Sequence, residues 1–382
     1  MTFSNSQISD ILATTIQSRT RELADNLTQN NALLMRLDEK GKIKPLTGGY
    51  IIYQEMMYDD PNTSNVNSYN GSELLNIAPD SPISAAQFLM KQYSASIVIS
   101  GKERLINAGK EKMIDLLDSR MEISEMRMRN RLSQDLYGDG TGNAGKNLDG
   151  LAAMIPTPVA PSTPTAAIPY YQYINTGIYG GIDRSIWRYW NPFGCYVGKI
   201  AAGQSGFIGG IPGTMIGTNA VNALDIMTNV SLQLTRGKDK VDLIMAGSYL
   251  YQQYVKSLQT IQRITDEKMA AAGFASLKFY GGGSSCDVVL GGGYAGPLNI
   301  TLNEGTAPSG PNPYSYGQEN SYTMYFLNTD YIHFRPHVDC EFTPLGKRMS
   351  VNQDAVVETM LWAGNLTCDN QFLQGVVYAP AS

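Results

Sequence analysis

One stretch of the sequence, LYGDGTGNAGKNLDGL at residues 136–151, has the residue types and spacing of a phosphate-binding loop. Gly140, Gly142 and Gly145 form the pattern G-x-G-x-x-G, and the run from Gly140 to Lys146 also matches the G-x-x-x-x-G-K core of a nucleotide-binding loop. Such loops hold a phosphate because backbone N–H groups and the N-terminus of a following helix point at it. A nucleotide hydrolase that uses Lys146 is therefore one hypothesis for this chain.

The residues around this loop argue against nucleotide binding. A long helical pattern, not a strand, precedes the loop, and Asn147 stands where a Ser or Thr hydroxyl would hold magnesium. Pro156 follows too soon for a long helix to start at the loop. The favoured interpretation is a structural joint in which Gly138, Gly140 and Gly142 let the chain reverse, with Gly138 or Gly140 in a left-handed conformation as the C-terminal stop of the helix.

Other reactive side chains are few. His333 and His337 have a spacing that binds zinc on a helix, but Pro336 between them removes a backbone donor and argues against that helix. The sequence therefore predicts no catalytic residue, no metal site and no cofactor. The four cysteines are far apart and form no C-x-x-C pair, so we predict that they are reduced core residues, with a metal site or disulfides as the alternatives: Cys195, Cys286, Cys340 and Cys368.

Three arginines alternate along the long helical pattern. Arg127 and Arg131 would share a face of a helix, whereas Arg129 points away from both, which argues against a stripe that binds nucleic acid. Glu125 lies four residues before Arg129, and Asp135 lies four residues after Arg131, a spacing typical of ion pairs on a helix. Salt-bridged, solvated faces and contacts between subunits remain the two interpretations.

Composition excludes some classes of protein. The chain has 382 residues with 29 basic and 34 acidic side chains, and this net charge of −5 gives no basic surface for binding nucleic acid by charge alone. Its 23 tyrosines and its low charged fraction of 16% are typical of a β-rich protein with much surface committed to partners. The length favours two or more cores, or one core with long extensions. The N-terminus lacks the pattern of a signal peptide, so we expect a soluble protein made in the cytoplasm.

Hydrophobic periodicity predicts the elements that position these residues. A helical arm is expected over residues 5–38, followed by strands at 48–58 and 92–100 that are separated by the polar connector from Asp59 to Gln87. Apolar positions from Lys102 to about Tyr137 step by four and seven, which predicts one long amphipathic helix. An arm, a protruding two-stranded loop and such a helix cannot each bury their own apolar face, so neighbouring subunits are expected to cover them.

The rest of the sequence reads as strands and turns with two further helices. These helices are predicted over 218–235 and 247–273, with the buried strand VDLIMAG between them. Strands TMYFLNT, YIHFRP and AVVETMLWAG close the chain. The predicted class is α+β and not a βαβ repeat.

The order of these parts resembles that of tailed-bacteriophage major capsid proteins, which have the Hong Kong 97-type fold. The sharpest local match is LYGDGTGNAGKNLDGLAAMI, because members of that family often leave their spine helix through a G-D-G-T-G turn followed by an l-x-G-l segment. The resemblance implies five parts: an N-terminal arm at 1–45, an extended β-hairpin loop at 46–100, the spine helix of a peripheral domain at 101–138, an axial domain with connecting segments at 139–322, and return strands with the C-terminal segment of the peripheral domain at 323–382.

The resemblance also implies a function. Hexamers and pentamers of one chain would close into an icosahedral virion shell, assembled in the host cytoplasm, that encloses double-stranded DNA without sequence-specific binding. A portal is expected as a partner, whereas a membrane and an enzymatic activity are not. The alternative is the shell of an encapsulin-like nanocompartment that holds protein cargo. Candidate subunit contacts lie on the extended loop and the spine helix: Tyr53, Tyr58, Asp59, Asp60, Tyr69, Glu73, Arg127 and Arg131.

The sequence departs from that family in two respects. Some relatives begin with a long scaffolding segment that a protease removes, whereas this chain enters its arm almost at once, so a separate scaffolding protein is expected. Some relatives also join a lysine of the extended loop to an asparagine of a neighbour. No lysine lies between Lys44 and Lys91, so the tip of this loop cannot make that bond.

Overall fold

The computed structural model describes residues 32–57, 68–74, 83–106, 116–159, 170–197, 223–258, 277–281, 283–291, 323–341, 343–345, 348–349 and 354–379. Its helices are α1 Ala32–Glu39, α2 Gly101–Ile106, α3 Leu116–Asp135, α4 Leu151–Met154, α5 Ala223–Gln233 and α6 Ser248–Leu258, with short 3-10 helices at Arg188–Trp190, Thr329–Tyr331 and Val338–Cys340. Its strands are β1 Ile51–Met57, β2 Ile83–Leu89, β3 Lys91–Ser100, β4 Tyr170–Tyr173, β5 Ile178–Tyr179, β6 Ile182–Asp183, β7 Phe193–Tyr196, β8 Leu243–Ala246, β9 Leu277–Gly281, β10 Ser284–Leu290, β11 Thr323–Leu327, β12 Ile332–Pro336, β13 Thr343–Pro344, β14 Arg348–Met349, β15 Ala355–Cys368 and β16 Gly375–Tyr378.

A seven-stranded mixed sheet carries two hydrophobic cores, one on each face. Its strand order is β4-β7-β16-β11-β8-β10-β9. Along β8, Leu243 and Met245 belong to one core, whereas Ile244 and Ala246 belong to the other. Successive side chains of a strand point to opposite faces, which explains why this sequence is apolar without interruption. Of the two alternatives expected from the length, several cores or one core with long extensions, the described residues fit the first.

One core lies between this sheet and helices α5 and α6. Ile226 and Val230 of α5 and Tyr254 of α6 are buried in it. Both helices fall within the segments predicted to be helical, and residues 259–273 of the second segment lie outside the described residues. The second core is formed by α1, α3, α4, the strands β1 and β2, and a five-stranded sheet.

Strand β15 is the centre of the five-stranded sheet. It pairs with β3 on one side and with β12, β13 and β14 on the other. The alternation expected in β3 is confirmed, because Ile97 and Ile99 are buried whereas Ser94 and Ser96 are exposed. Helix α3 packs on this strand, and Arg120 donates a 2.9 Å hydrogen bond to the backbone oxygen of Val98.

Strands β1 and β2 form an antiparallel hairpin, which we call the extended hairpin. The sequence had predicted that the strand at 92–100 would be the second strand of this loop, but that was wrong, because β3 pairs with β15 along ten residues from Lys91 to Ser100. The partner of β1 is β2, which starts at Ile83, inside the expected polar connector. The sequence ISAAQFL of β2 was missed because its period-2 pattern is interrupted by adjacent alanines.

The described parts of the predicted long helix are α2 and α3. The second of these ends at Asp135, and residues 107–115 lie outside the described residues. The predicted boundary at residue 322 runs through the seven-stranded sheet, because β11 and β16, which belong to the 323–382 segment, pair with β8 and β7 of the preceding segment. The sequence by itself does not show which strands, distant along the chain, form hydrogen bonds with each other.

The described part of the arm fastens both sheets together. Leu33 and Leu37 of α1 are buried in the second core. Arg36 Nη2 lies 3.5 Å from Asp287 Oδ2, and Lys40 Nζ lies 3.0 Å from Asp242 Oδ2, so α1 is ion-paired to residues at the seven-stranded sheet. Beyond α1 the chain runs parallel to β12 of the five-stranded sheet, where it forms isolated bridges.

Candidate functional site

The glycine joint, residues 136–151, connects the end of α3 to α4. Gly138 N donates a 2.9 Å hydrogen bond to Asp135 O as the helix ends. Of the three glycines expected to shape the turn, Gly140 has a left-handed φ of +74°, whereas Gly138 and Gly142 do not have a positive φ. Gly140 therefore fits the expected left-handed stop, and Gly138 does not. The next left-handed residues, Asn143 and Ala144, carry side chains, which single-sequence reasoning does not anticipate.

Gly150 is the structural glycine that the sequence analysis missed. A Cβ atom placed on Gly150 would lie 2.5 Å from Leu136 O and would also overlap Asp135 O. Close approach of two backbones is the reason for this glycine, since its φ of −86° is open to any residue. Leu151 N then donates a 2.7 Å hydrogen bond to Leu136 O and closes the joint. The quoted l-x-G-l segment contained this residue, but no physical role had been assigned to it.

Asp135 gathers hydrogen-bond donors from three parts of the chain. Tyr93 donates to its Oδ2 at 2.7 Å, Arg131 Nε lies 3.1 Å from the same oxygen, and Asn147 Nδ2 lies 3.4 Å from Oδ1. Burial raises the pKa of Asp135, and the bonds from Tyr93 and Arg131 oppose that rise. The carboxylate thus fixes strand β3, helix α3 and the turn relative to one another.

A second polar cluster holds the other side of the joint. Lys91 Nζ donates a 2.6 Å hydrogen bond to Gly145 O and lies 3.5 Å from Asp149 Oδ1. Asn365 of β15 is fully buried, and its Nδ2 donates to Asp149 Oδ2 at 2.7 Å and to Leu89 O at 2.9 Å. These contacts lock the turn to β15 and to the end of β2.

The joint lacks the arrangement of a nucleotide-binding loop. It follows helix α3 and not a strand, as expected, and the side chain of Lys146 is exposed. The helix after the loop, α4, has four residues. Among the described residues, no group of three or more His, Cys, Asp and Glu side chains could hold a metal ion.

The histidines and cysteines have structural surroundings. His333 lies in β12 with Nε2 3.3 Å from Asp369 Oδ2, and His337 Nδ1 accepts a 3.1 Å hydrogen bond from Asp339 N, so the two do not share a helix face. None of the four cysteines forms a disulfide. Three are buried, whereas Cys340 is half-buried at the surface and departs from the expected core position.

The candidate subunit contacts that the structure describes lie on three surfaces. On the outer face of the extended hairpin, Tyr53 is 58% exposed, and its neighbours Met57 and Ile83 are also exposed. The opposite face is buried, with Ile52 paired to Phe88. Tyr69 and Glu73 are exposed on the short described stretch 68–74. Tyr58, Asp59 and Asp60 lie outside the described residues.

Arg127 and Arg131 of α3 differ in exposure and in their partners. The side chain of Arg127 is exposed, whereas Arg131 forms the predicted ion pair with Asp135 four residues later. The side chain of Arg129 lies outside the described parts, so its predicted pair with Glu125 stays a prediction. Helices within the described ranges are too short or too polar to span a membrane.

Comparisons with known proteins identify the fold. No protein-family model and no curated protein matches the sequence. Among solved structures, the chain is similar to the capsid asymmetric unit of cyanophage A-1(L), with a TM-score of 0.56 and 14% identity over 94% of each chain. It is also similar to the capsid of a native GTA particle, with a TM-score of 0.49 and 10% identity over 95% of each chain. A structure from Mycobacterium phage Bobi matches with a TM-score of 0.45 and 10% identity over 100% of each chain.

The match to the cyanophage capsid shows that this chain has the fold of phage capsid proteins, the Hong Kong 97-type fold. The α+β class expected from the sequence is therefore confirmed.

Proposed function

We propose that this chain is a major capsid protein of a tailed bacteriophage, which self-assembles as hexamers and pentamers into an icosahedral shell around double-stranded DNA. The observation that carries the proposal is the match to the cyanophage capsid, which extends over 94% of both chains at a TM-score of 0.56. Because a fold alone does not fix a function, surface features must support it.

The outer face of the extended hairpin gives this support. Tyr53, Met57 and Ile83 form an exposed apolar row along its two strands, with Met57 and Ile83 directly paired. Exposed apolar patches of this kind mark sites of contact between proteins. We propose that a second copy of the chain covers this row, and that Tyr58, Asp59, Asp60, Tyr69, Glu73 and Arg127 contribute to neighbouring contacts.

The net charge of −5 fits a shell protein that encloses DNA without binding it tightly. A separate scaffolding protein and a portal would guide assembly in the host cytoplasm, and the shell would carry no enzymatic activity. The peripheral domain would comprise the spine helix and the five-stranded sheet, and the axial domain would contain α5 and α6.

Electron microscopy of the purified chain, expressed alone and together with candidate scaffolding proteins from the same genome, tests the proposal. Closed shells or capsomers are expected, whereas a monomer under all of these conditions would contradict assembly. Double-stranded DNA inside native particles would distinguish a capsid from a nanocompartment with protein cargo. Phosphate release assays on the same preparation test the absence of nucleotide hydrolysis.

A further inference from the structure

Arg184 is a buried cation with no carboxylate partner among the described residues. Its side chain donates to backbone oxygens at the end of α4, at 2.9 Å from Nη2 to Ala153 O and 2.8 Å from Nη2 to Met154 O. Nε donates to Gln371 Oε1 at 3.1 Å, and Nη1 makes only a long bond of 3.4 Å to Thr176 O. Burial lowers the pKa of Arg184 to about 10, because these neutral oxygens compensate its charge poorly.

Two further donors beside Arg184 are buried and have no hydrogen-bond partner among the described residues. They are the hydroxyl of Tyr179 and Nε2 of Gln371. The guanidinium carbon of Arg184 lies 5.5 Å from the centre of the Tyr179 ring, and the Gln371 amide is held beside it through its oxygen. Tyr179 is 4% exposed and Gln371 is 0% exposed, so water outside the protein satisfies neither group.

We propose that Tyr179, Arg184 and Gln371 form a binding site for a monovalent anion of the size of chloride. The three side chains offer a positive charge and N–H and O–H donors, and an anion accepts hydrogen bonds without needing any acceptor in return. A buried water would need acceptors for its own two hydrogens as well as donors. A Cβ atom on Gly177 would lie 3.4 Å from Nη1 of Arg184, so a side chain at this position would crowd the guanidinium.

Two titratable neighbours of the Arg184 guanidinium are uncharged. Burial raises the pKa of the Tyr179 hydroxyl and of the Cys368 thiol well above their ordinary values, so both remain neutral. Asp149 is the carboxylate that acts on Tyr179, and its charge is compensated by Lys91 at 3.5 Å.

The site lies next to the turn on which the extended hairpin packs. The ring of Tyr179 meets Phe88 edge to face at 5.0 Å, and Gln87 N donates a 2.8 Å hydrogen bond to Gly180 O. A bound anion therefore stabilises the surface that orients the hairpin. This inference does not depend on the proposed function, because it concerns the folded subunit whatever it assembles into.

Thermal unfolding of the full-length chain in sodium chloride and in sodium gluconate at equal ionic strength tests the site. A ligand that binds only the native state raises the midpoint as its concentration increases. We expect the midpoint to rise with chloride concentration when chloride replaces gluconate. An equal midpoint in both salts at all concentrations would overturn the proposal and leave either a buried water or no ligand.

Two variants and a control assign the effect to this site. Gln371→Glu keeps the oxygen that accepts from Arg184 and replaces the free donor by a carboxylate, so the chloride dependence should disappear. Tyr179→Phe removes one donor and should reduce it. Tyr254→Phe is the matched control, because this buried hydroxyl lies in the other core and donates to Lys278 O at 3.2 Å. Full chloride dependence in Gln371→Glu would refute the assignment, whether or not Tyr179→Phe folds.

Discussion

The hydroxyl of Tyr93 donates a 2.7 Å hydrogen bond to Asp135 and accepts another of 2.7 Å from the backbone N–H of Leu148. One oxygen atom thus joins a strand of the five-stranded sheet, the end of helix α3 and the segment that enters α4. The glycine joint is therefore held by buried polar contacts as well as by backbone shape, and both parts can be tested separately.

The raised pKa of Asp135 predicts a pH dependence of stability. An acid whose pKa is raised on folding, here by burial, binds its proton more tightly in the native state than in the unfolded state. Its contribution is fully present below the unfolded pKa of about 4 and is lost as the pH rises through the folded pKa. We expect the free energy of unfolding of the wild type, relative to Asp135→Asn, to fall as the pH rises above about 4. Urea unfolding of both proteins across this pH range measures the difference in their free energies of unfolding. A difference that favours the wild type more as the pH rises would contradict the prediction.

Gly150→Ala should destabilise the protein although its backbone φ suits any residue. The added methyl group meets the carbonyl oxygens of Asp135 and Leu136, and overpacking of this kind costs about 1–3 kcal/mol. Gly145→Ala is the control, because Gly145 has a φ of +77° and open space around its Cβ position. The control should cost about 1 kcal/mol from backbone strain alone. Chemical denaturation measures both, and an equal or smaller cost at Gly150 would show that α4 moves freely away from α3.

Lys91 and Lys146 lie near the same turn but should respond differently to substitution by methionine. Lys91 donates to Gly145 O and pairs with Asp149, so Lys91→Met should cost about 1.5–3 kcal/mol, as expected for a bond to a charged group. The exposed Lys146 should tolerate the same change within about 0.5 kcal/mol. Thermal and urea unfolding of both variants test the difference. A larger loss at Lys146, or nucleotide turnover that Lys146→Met abolishes, would restore the phosphate-loop hypothesis.

The two faces of the extended hairpin should separate assembly from folding. Tyr53→Ser combined with Met57→Ser changes exposed side chains, so subunit stability should stay within about 0.5 kcal/mol for each change while the yield of closed shells falls. Phe88→Ala on the buried face should instead lower subunit stability by about 3–5 kcal/mol. Electron microscopy and denaturation measure the two effects. Normal shells from the double variant would show that no neighbour covers this face.

Particles should contain no covalent links made through the extended loop. Residues 45–90 contain no lysine, so the part of the extended loop before Lys91 has no amine side chain to form an isopeptide bond. Boiling in detergent should therefore release monomers of 41.7 kDa. Gel electrophoresis and peptide mass spectrometry provide the measurement, and a ladder of oligomers linked through this loop would disprove it.

Local patterns predicted elements well where one periodicity dominated. The alternation of buried Ile97 and Ile99 with exposed serines identified β3, and the uninterrupted apolar run around Leu243 identified a strand buried on both faces. The i, i+4 spacing predicted the ion pair between Arg131 and Asp135. These features depend on residues that are close in sequence, so a single chain suffices to find them.

Features that depend on distant residues were missed. Nothing near Ile83 shows that β2 pairs with β1, and nothing near β16 shows that it lies between β7 and β11. Gly150 is needed because a helix end from earlier in the chain passes close to it. The donors that lack a partner among the described residues likewise become visible only when Tyr179 and Gln371 are each placed beside Arg184 in space.

The position of β16 in the seven-stranded sheet determines when this sheet can be completed during synthesis. Residues 375–378 come last among the seven strands, yet they join the pair β4–β7 to the group β11–β8–β10–β9. Before β16 has been translated, no strand of the native sheet can link these two parts, and β7 and β11 each lack a native neighbour on one edge. Open strand edges can pair with other strands, so we expect the β16 segment of a neighbouring nascent chain to compete for this position. A chaperone that covers both edges until β16 has left the exit tunnel would favour the native subunit over a strand-exchanged oligomer.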